Sequence, residues 1–346
     1  MDQEFFQSGA LFKQGDQVII GWGESEWSTE PSKTASHSFY FPRFFLSEEK
    51  PWLCFQQTKE LSLDEARKRW PILDSEEKVS RKWTPPSKGL FHQRFCRLKE
   101  LLDSEQLVKA VPYLFAERGD AIDPSEREQM IAAFLSKSDT LSPYGFWNED
   151  GGLLGATPEL LFDKKGNVLH TMALAGTLGH HEDTDAFLND PKERREHQIV
   201  VESISRELEP FGTVRVGEIG LQKAGALYHL KTEIALQLNA DPSFKDLVSA
   251  LHPTPALGAY PKEEGQEWLK GYNRLEPRGR YGAPAGVYSK ERDQTTLVVA
   301  IRGVQWDKEH SRLGIGAGVI SESRFDSEWE ELLRKMRASL EVMGLG

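Results

Sequence analysis

Cysteine is scarce in this chain. Cys54 and Cys96 are the only two in 346 residues, too few for a disulfide framework and without the spacing of zinc ligands. A reducing cytoplasm is the compartment this implies. No basic stretch followed by an apolar run opens the sequence, so no signal peptide is expected. No run reaches the roughly 18 apolar residues of a membrane helix. Positive charge is also short: 43 Lys and Arg stand against 54 Asp and Glu, a net charge of −11. That argues against nucleic acid as a partner, because phosphates need clustered cations. An anionic substrate would therefore need local cations or a metal to reverse the field. Internal repeats, low-complexity linkers, heptad seams and long apolar edges are missing too, which leaves a monomer as the expectation.

What is present is an ordinary soluble composition, 38% hydrophobic and 28% charged. The length allows one large domain or two smaller ones, and residues 1–346 read as one. The first 90 residues are β-rich: QVIIGWG (17–23) and FYFPRFF (39–45) are aromatic and β-branched, and TPPSKG (84–89) is loop-like. From Phe91 to about Arg118, apolar residues at steps of three and four predict a helix, with Pro112 as a kink or break. GLLGATPELLF and NVLHTMALAGT read as strands, 191–209 as a helix, and TTLVVAIRGVQW (295–306) alternates as a strand. The last helix is expected to open on a capping box, Ser327 with Glu330, and to run to about Val342. Strands and helices mix without regular βαβ alternation, which predicts an α+β fold.

Several polar residues stand out against this background. Glu193 and Glu196 fall at i and i+3 on one helix face with Val200 and Ser203, so at least one carboxylate should point inward. The alternative is a solvated face, since KERRE also supplies Lys192, Arg194 and Arg195. Glu328, Glu331 and Lys335 repeat the pattern beside Leu332 and Met336; a surface ion pair is the plain alternative. Carboxylates without Cys or His suit a hard cation such as Mg²⁺. Arg302, if buried, needs an anion, structural or substrate. Gly176-Thr177 and Gly316-Ala-Gly318 suit either close approach to a ligand or simple turns. A buried Lys109 is a candidate base, because desolvation favours the neutral amine. Glu159, between apolar runs, is a candidate acid or an exposed turn residue. His252 is preferred as a core histidine, while His229 is open between core and site.

The ordered set GATPELLF, ALAGT, KERREH, YHLKTEI, LHPTPALGAYP, RGRYGAPAG, VAIRG and GAGVISESRFDSEWEELLRK resembles the chorismate-utilising enzyme family, over roughly residues 91–340. The likeness implies that family's fold, large mostly antiparallel β-sheets with helices packed outside, and is greatest to the isochorismate synthases. It implies Lys109 as the base activating water and Glu159 as the acid. It implies Glu196 and Glu331 as Mg²⁺ ligands, with Glu193 and Glu328 behind them or bridged by water. Arg302, Tyr281, Lys335, Gly176, Thr177, Gly316 and Gly318 are implied as the substrate-carboxylate site, and His229 as a contact near the ring. Ala175 stands where the aminodeoxychorismate enzymes carry a nucleophilic lysine, and Ala256 where amine-adding enzymes tend to carry Thr, so water is the implied nucleophile. The expected reaction is chorismate to isochorismate, serving menaquinone or siderophore biosynthesis. Alternatives are a salicylate synthase, an ammonia-using anthranilate or aminodeoxychorismate synthase component I, and a non-catalytic chorismate-binding subunit. Ala259 and Ala283 replace glycines common in the family, and each added methyl is expected to narrow the pocket or tilt a backbone donor.

Overall fold

The computed structural model describes residues 2–72, 82–137, 139–179 and 181–345. Fifteen strands among them form one sheet in which every ladder is antiparallel, from Gly212–Ala224 at one edge to Tyr113–Arg118 at the other. Helices cover it, so the α+β expectation holds. The N-terminal strands are not an appendage. Gly9–Gln14, Gln17–Ser28, Trp52–Ser62 and His37–Tyr40 sit in the middle of the sheet, between Ser142–Asn148 and Pro284–Ser289. Aromatic and β-branched side chains from these strands fill one core cluster, including Phe12, Ile19, Phe39 and Phe55. Such residues suit a pleated, buried surface. A second sheet of three short strands has Lys109–Ala110 at its centre, between Ala259–Tyr260 and Val319–Ile320.

Four local expectations need correction. The helix opening near Phe91 spans Lys88–Asp103 and stops there. Ser87 caps its start through the Leu90 N–H, so the last two residues of the TPPSKG loop are already helical. Beyond it, Glu105 takes a left-handed φ of 58°, and Lys109–Ala110 and Tyr113–Arg118 are strands. Leu107 and Val111 are both buried, yet an even step of four keeps them on one face of extended chain as well as of a helix. The spacing could not separate the two.

The final helix spans Phe325–Met343, and its N-cap, Arg324, has no side-chain capping bond. Ser327 and Glu330 lie inside it. Packing of the Phe325 ring on Phe91 and Phe95 fixes the earlier start. The 295–306 segment is two strands, Gln294–Val299 and Gly303–Trp306, with Arg302 at φ 53° in the gap. The first pairs with Leu160–Lys165 and the second with Gly151–Thr157. Gly151–Thr157 and Leu160–Lys165 are themselves separated by Pro158-Glu159. Two interruptions therefore lie side by side, tied by Val299 N–H to Glu159 C=O at 3.0 Å and Ala156 N–H to Arg302 C=O at 3.2 Å.

The other helical expectation stands: Pro191–Leu208 is a helix, capped by Asp190 through the Glu193 N–H. Its inner face buries Glu196, Val200 and Ser203.

Candidate active site

Beside the paired interruptions lies an open-mouthed cavity, with roughly 670 Å³ of empty space counted out to its mouth. Of the residues singled out from sequence, Lys109, Glu159, Gly176, Thr177, Glu196, His229, Ala256, Tyr281, Arg302, Gly316, Gly318, Glu331 and Lys335 all line it. Glu193 and Glu328 are not among its lining residues.

Lys109 is 1% exposed. Its strand is paired on both sides, opposite Tyr260 and Ile320, so its stem has little freedom. Its Nζ meets Glu196 Oε1 at 2.8 Å. Glu159 is also buried, and none of the ion pairs among the described residues includes it. Its N–H donates to Thr157 Oγ1 at 3.2 Å. Burial pushes its carboxyl up to about 7, against the pull of Lys109, Lys335 and Arg302. A carboxyl that keeps its proton near neutrality can serve as an acid.

Arg302 is 7% exposed, and no ion pair among the described residues involves it. Burial lowers its guanidinium to about 10. Its Nη2 contacts His229 Nε2 at 2.6 Å, while His229 Nδ1 contacts the Gly176 carbonyl at 2.6 Å. A carbonyl only accepts and a guanidinium only donates, so Nδ1 carries the proton and Nε2 accepts from Arg302. Burial, and then the Arg302 charge, hold this imidazole well below its ordinary range and therefore neutral. His229 thus aims Arg302 into the cavity. His252, by contrast, is a core histidine: Nε2 donates to the Phe44 carbonyl at 2.6 Å, and the ring packs on Phe44.

Gly176 sits at a register shift in the Val168–Gly179 strand with φ 68°. A Cβ there would lie 2.7 Å from Glu193 Oε2, and one at Gly318 would collide with Glu196 Oε1. Both glycines make room for carboxylates. Gly314 likewise clears space for the Tyr281 ring, whose hydroxyl burial raises to about 12. Lys335 Nζ donates to the Gly316 carbonyl at 3.0 Å and pairs with Glu331 at 2.7 Å. This is the i,i+4 pair of the sequence, but it faces the cavity rather than bulk water.

The four glutamates press on one another. Burial and then the Glu196 charge push Glu193 up to about 7; burial and then the Glu331 charge push Glu328 to about 7. Burial works the same way on Glu331, but Lys335, with Lys192 and Arg334, outweighs it and holds that carboxyl below its ordinary range. Glu193 Oε2 and Glu328 Oε2 are buried without a partner. Unpartnered oxygens, mutual repulsion and an all-carboxylate donor set fit a hard divalent cation. As they stand, no three ligand side chains among the described residues converge tightly enough to ligate an ion. Lysines hold them: Lys109 on Glu196, Lys335 on Glu331, Lys192 on Glu193 and Glu328.

Ala259 and Ala283 do not line the cavity. The Ala259 methyl faces Gly265 of the Lys262–Leu275 helix, and Ala283 is packed in a core cluster with Phe44 and Leu269. The expected narrowing does not occur. Sequence reasoning missed Leu257, Ile301, Gly314 and Ser339 in the lining. Ser339 was findable, one helical turn beyond Lys335, to whose carbonyl it donates.

Residues 48–344 match the chorismate-binding enzyme family. The chain belongs to that family. Among curated members, it is 32% identical over 238 residues to the isochorismate synthase MenF of Bacillus subtilis, covering 64% of this chain and 48% of that protein. It is 34% identical over 201 residues to the salicylate biosynthesis isochorismate synthase of Pseudomonas aeruginosa, covering 55% and 41%. The chain thus spans about half the length of the curated relatives it matches. The fold is shared with the menaquinone-specific isochorismate synthase MenF of Escherichia coli at a TM-score of 0.76 and 18% identity, over 99% of this chain and 90% of that one. Anthranilate synthase component I of Streptococcus pneumoniae has it too, with a TM-score of 0.73 and 14% identity over 97% and 90%. No helix among the described residues is long and apolar enough to cross a membrane.

Proposed function

We propose that this chain is a Mg²⁺-dependent isochorismate synthase, a cytoplasmic monomer acting on chorismate. One observation carries the reading: a single cavity presents the buried amine of Lys109, the buried, protonatable Glu159, and an Arg302 guanidinium that feels Glu159 but is in none of the ion pairs among the described residues. Arg302, aimed by His229, binds a substrate carboxylate bidentately. Tyr281 and the Gly176-Thr177 backbone close around it. A divalent cation held by Glu196 and Glu331, with Glu193 and Glu328 behind them, would supply positive charge for the second substrate carboxylate. Lys109, neutral when it acts and so released from its charge pairing with Glu196, takes a proton from water as that water attacks ring carbon 2. Glu159 delivers its proton to the departing 4-hydroxyl, the ring double bonds shift, and one water enters as one leaves. Base and acid of this kind are what general catalysis near neutral pH requires.

Ala175 and Ala256 line the cavity and bring no amine or hydroxyl to it, which favours water as nucleophile. The test is purified protein with chorismate and MgCl₂, products separated by chromatography. Isochorismate alone is expected. Salicylate with pyruvate would make the chain a salicylate synthase, an ammonium-dependent product would make it an amine-adding enzyme, and no turnover would leave a binding subunit.

A further inference from the structure

Lys192 differs from the other two lysines of the acidic cleft. Lys335 reaches Glu331 within its own helix, and Lys109 reaches Glu196 from the small sheet. Lys192 joins the two acidic helices to each other. It lies in the first turn of Pro191–Leu208, and its Nζ donates to Glu328 Oε1 at 2.9 Å on Phe325–Met343 and to Glu193 Oε1 at 3.3 Å beside it. The neighbouring cations are engaged elsewhere: Arg195 with Glu322, Arg334 with Glu182, and Arg194 with the Leu188 carbonyl. The ammonium satisfies one oxygen of each carboxylate and leaves the other buried without a partner on both.

We propose that Lys192 is an internal counter-cation: it fills the acidic cleft when no divalent ion is there, and yields the place when one binds. The inference rests on the reading that this cleft takes Mg²⁺. Two buried like charges need neutralising, and an ammonium on a flexible four-carbon stem does so without dedicated geometry. It cannot share the oxygens with a dication, because cations a few ångströms apart in a buried site repel strongly. Its side chain is already 27% exposed, which gives the ammonium a way out to water once an arriving dication takes over the two carboxylate contacts that hold it. The cleft thereby stays assembled without metal.

The test is lysine footprinting of the intact protein by acetylation and mass spectrometry, with and without MgCl₂, using half-exposed Lys270 as reference. Lys192 should label about tenfold faster with Mg²⁺ while Lys270 is unchanged. Unchanged or slower labelling of Lys192 overturns the proposal. In titration calorimetry, Lys192→Met should bind Mg²⁺ about tenfold more tightly than the natural chain, and Lys192→Arg should stay near it. Binding by Lys192→Met that is no tighter also overturns it. If Lys192→Met does not fold, the footprint on the natural chain decides. If no form binds Mg²⁺, the cation reading itself falls and takes this one with it. If the natural chain binds Mg²⁺ with Lys192 still protected, only the role of Lys192 falls.

Discussion

At one end of the cavity four glutamates from two helices meet Lys109, Lys192 and Lys335; at the other, Arg302 and Glu159 feel each other's charge, but neither is in an ion pair among the described residues. The first end carries its counter-charges within the chain, and these hold the acidic side chains in place before any ligand arrives. The second leaves a cation and an acid exposed to whatever enters. A charge that is buried and unpaired costs several kcal/mol unless something neutralises it. Charges left open at the Arg302 end are therefore the ones that select a ligand, while those satisfied at the helix end mainly set how tightly an ion is held.

The largest effect should come from Lys109, which serves both ends. Lys109→Ala is expected to lose activity near the top of the roughly 10²–10⁴-fold range of general acid–base groups. It also leaves Glu196 buried and unpaired, at a cost of about 3–5 kcal/mol; steady-state kinetics and chemical denaturation measure the two. Glu159→Gln should lose roughly 10²–10⁴-fold in kcat with chorismate binding retained in calorimetry. In the natural chain kcat/KM should fall as pH rises through about 7, because the acid must hold its proton. The same raised carboxyl contributes folding stability that is full below its ordinary range and lost as pH rises through about 7. Glu159→Gln should lessen that slope in melting curves, with Glu193 and Glu328, raised to about 7 as well, supplying the rest.

Arg302→Lys keeps the charge but loses the fork, so KM for chorismate should rise by roughly 10–100-fold with a smaller change in kcat. Gly176→Ala attacks the helix end through its shape. The left-handed φ should cost roughly 1–2 kcal/mol; the methyl pushes on Glu193 while the same backbone holds His229, so Mg²⁺ and chorismate affinity in calorimetry should both drop. The smallest effect belongs to Ala259→Gly. It should lower stability by roughly 0.5–1 kcal/mol and leave kcat/KM within about twofold, because its methyl packs on Gly265 outside the cavity.

Much of the site was legible because its parts sit in short motifs whose local chemistry is unusual. The helical carboxylates could be read from their three- and four-residue spacing, and the Pro191–Leu208 helix follows from the same periodicity. What was not legible depends on partners distant in the chain. Lys109 lies on a strand because Tyr260 and Ile320 flank it, and nothing local says so. Arg302 looks like one more alternating residue; only pairing with two different neighbours breaks the strand there. The lysine contacts that hold the glutamates apart are likewise tertiary.

The gap at 300–302 has a further consequence. Side chains alternate faces along each flanking strand, so Val304 and Trp306 point inward only because the connection has its present length. One inserted or deleted residue would reverse that alternation, turning both outward and swinging the Arg302 guanidinium out of the cavity. This stretch should therefore tolerate changes of residue type far better than changes of length.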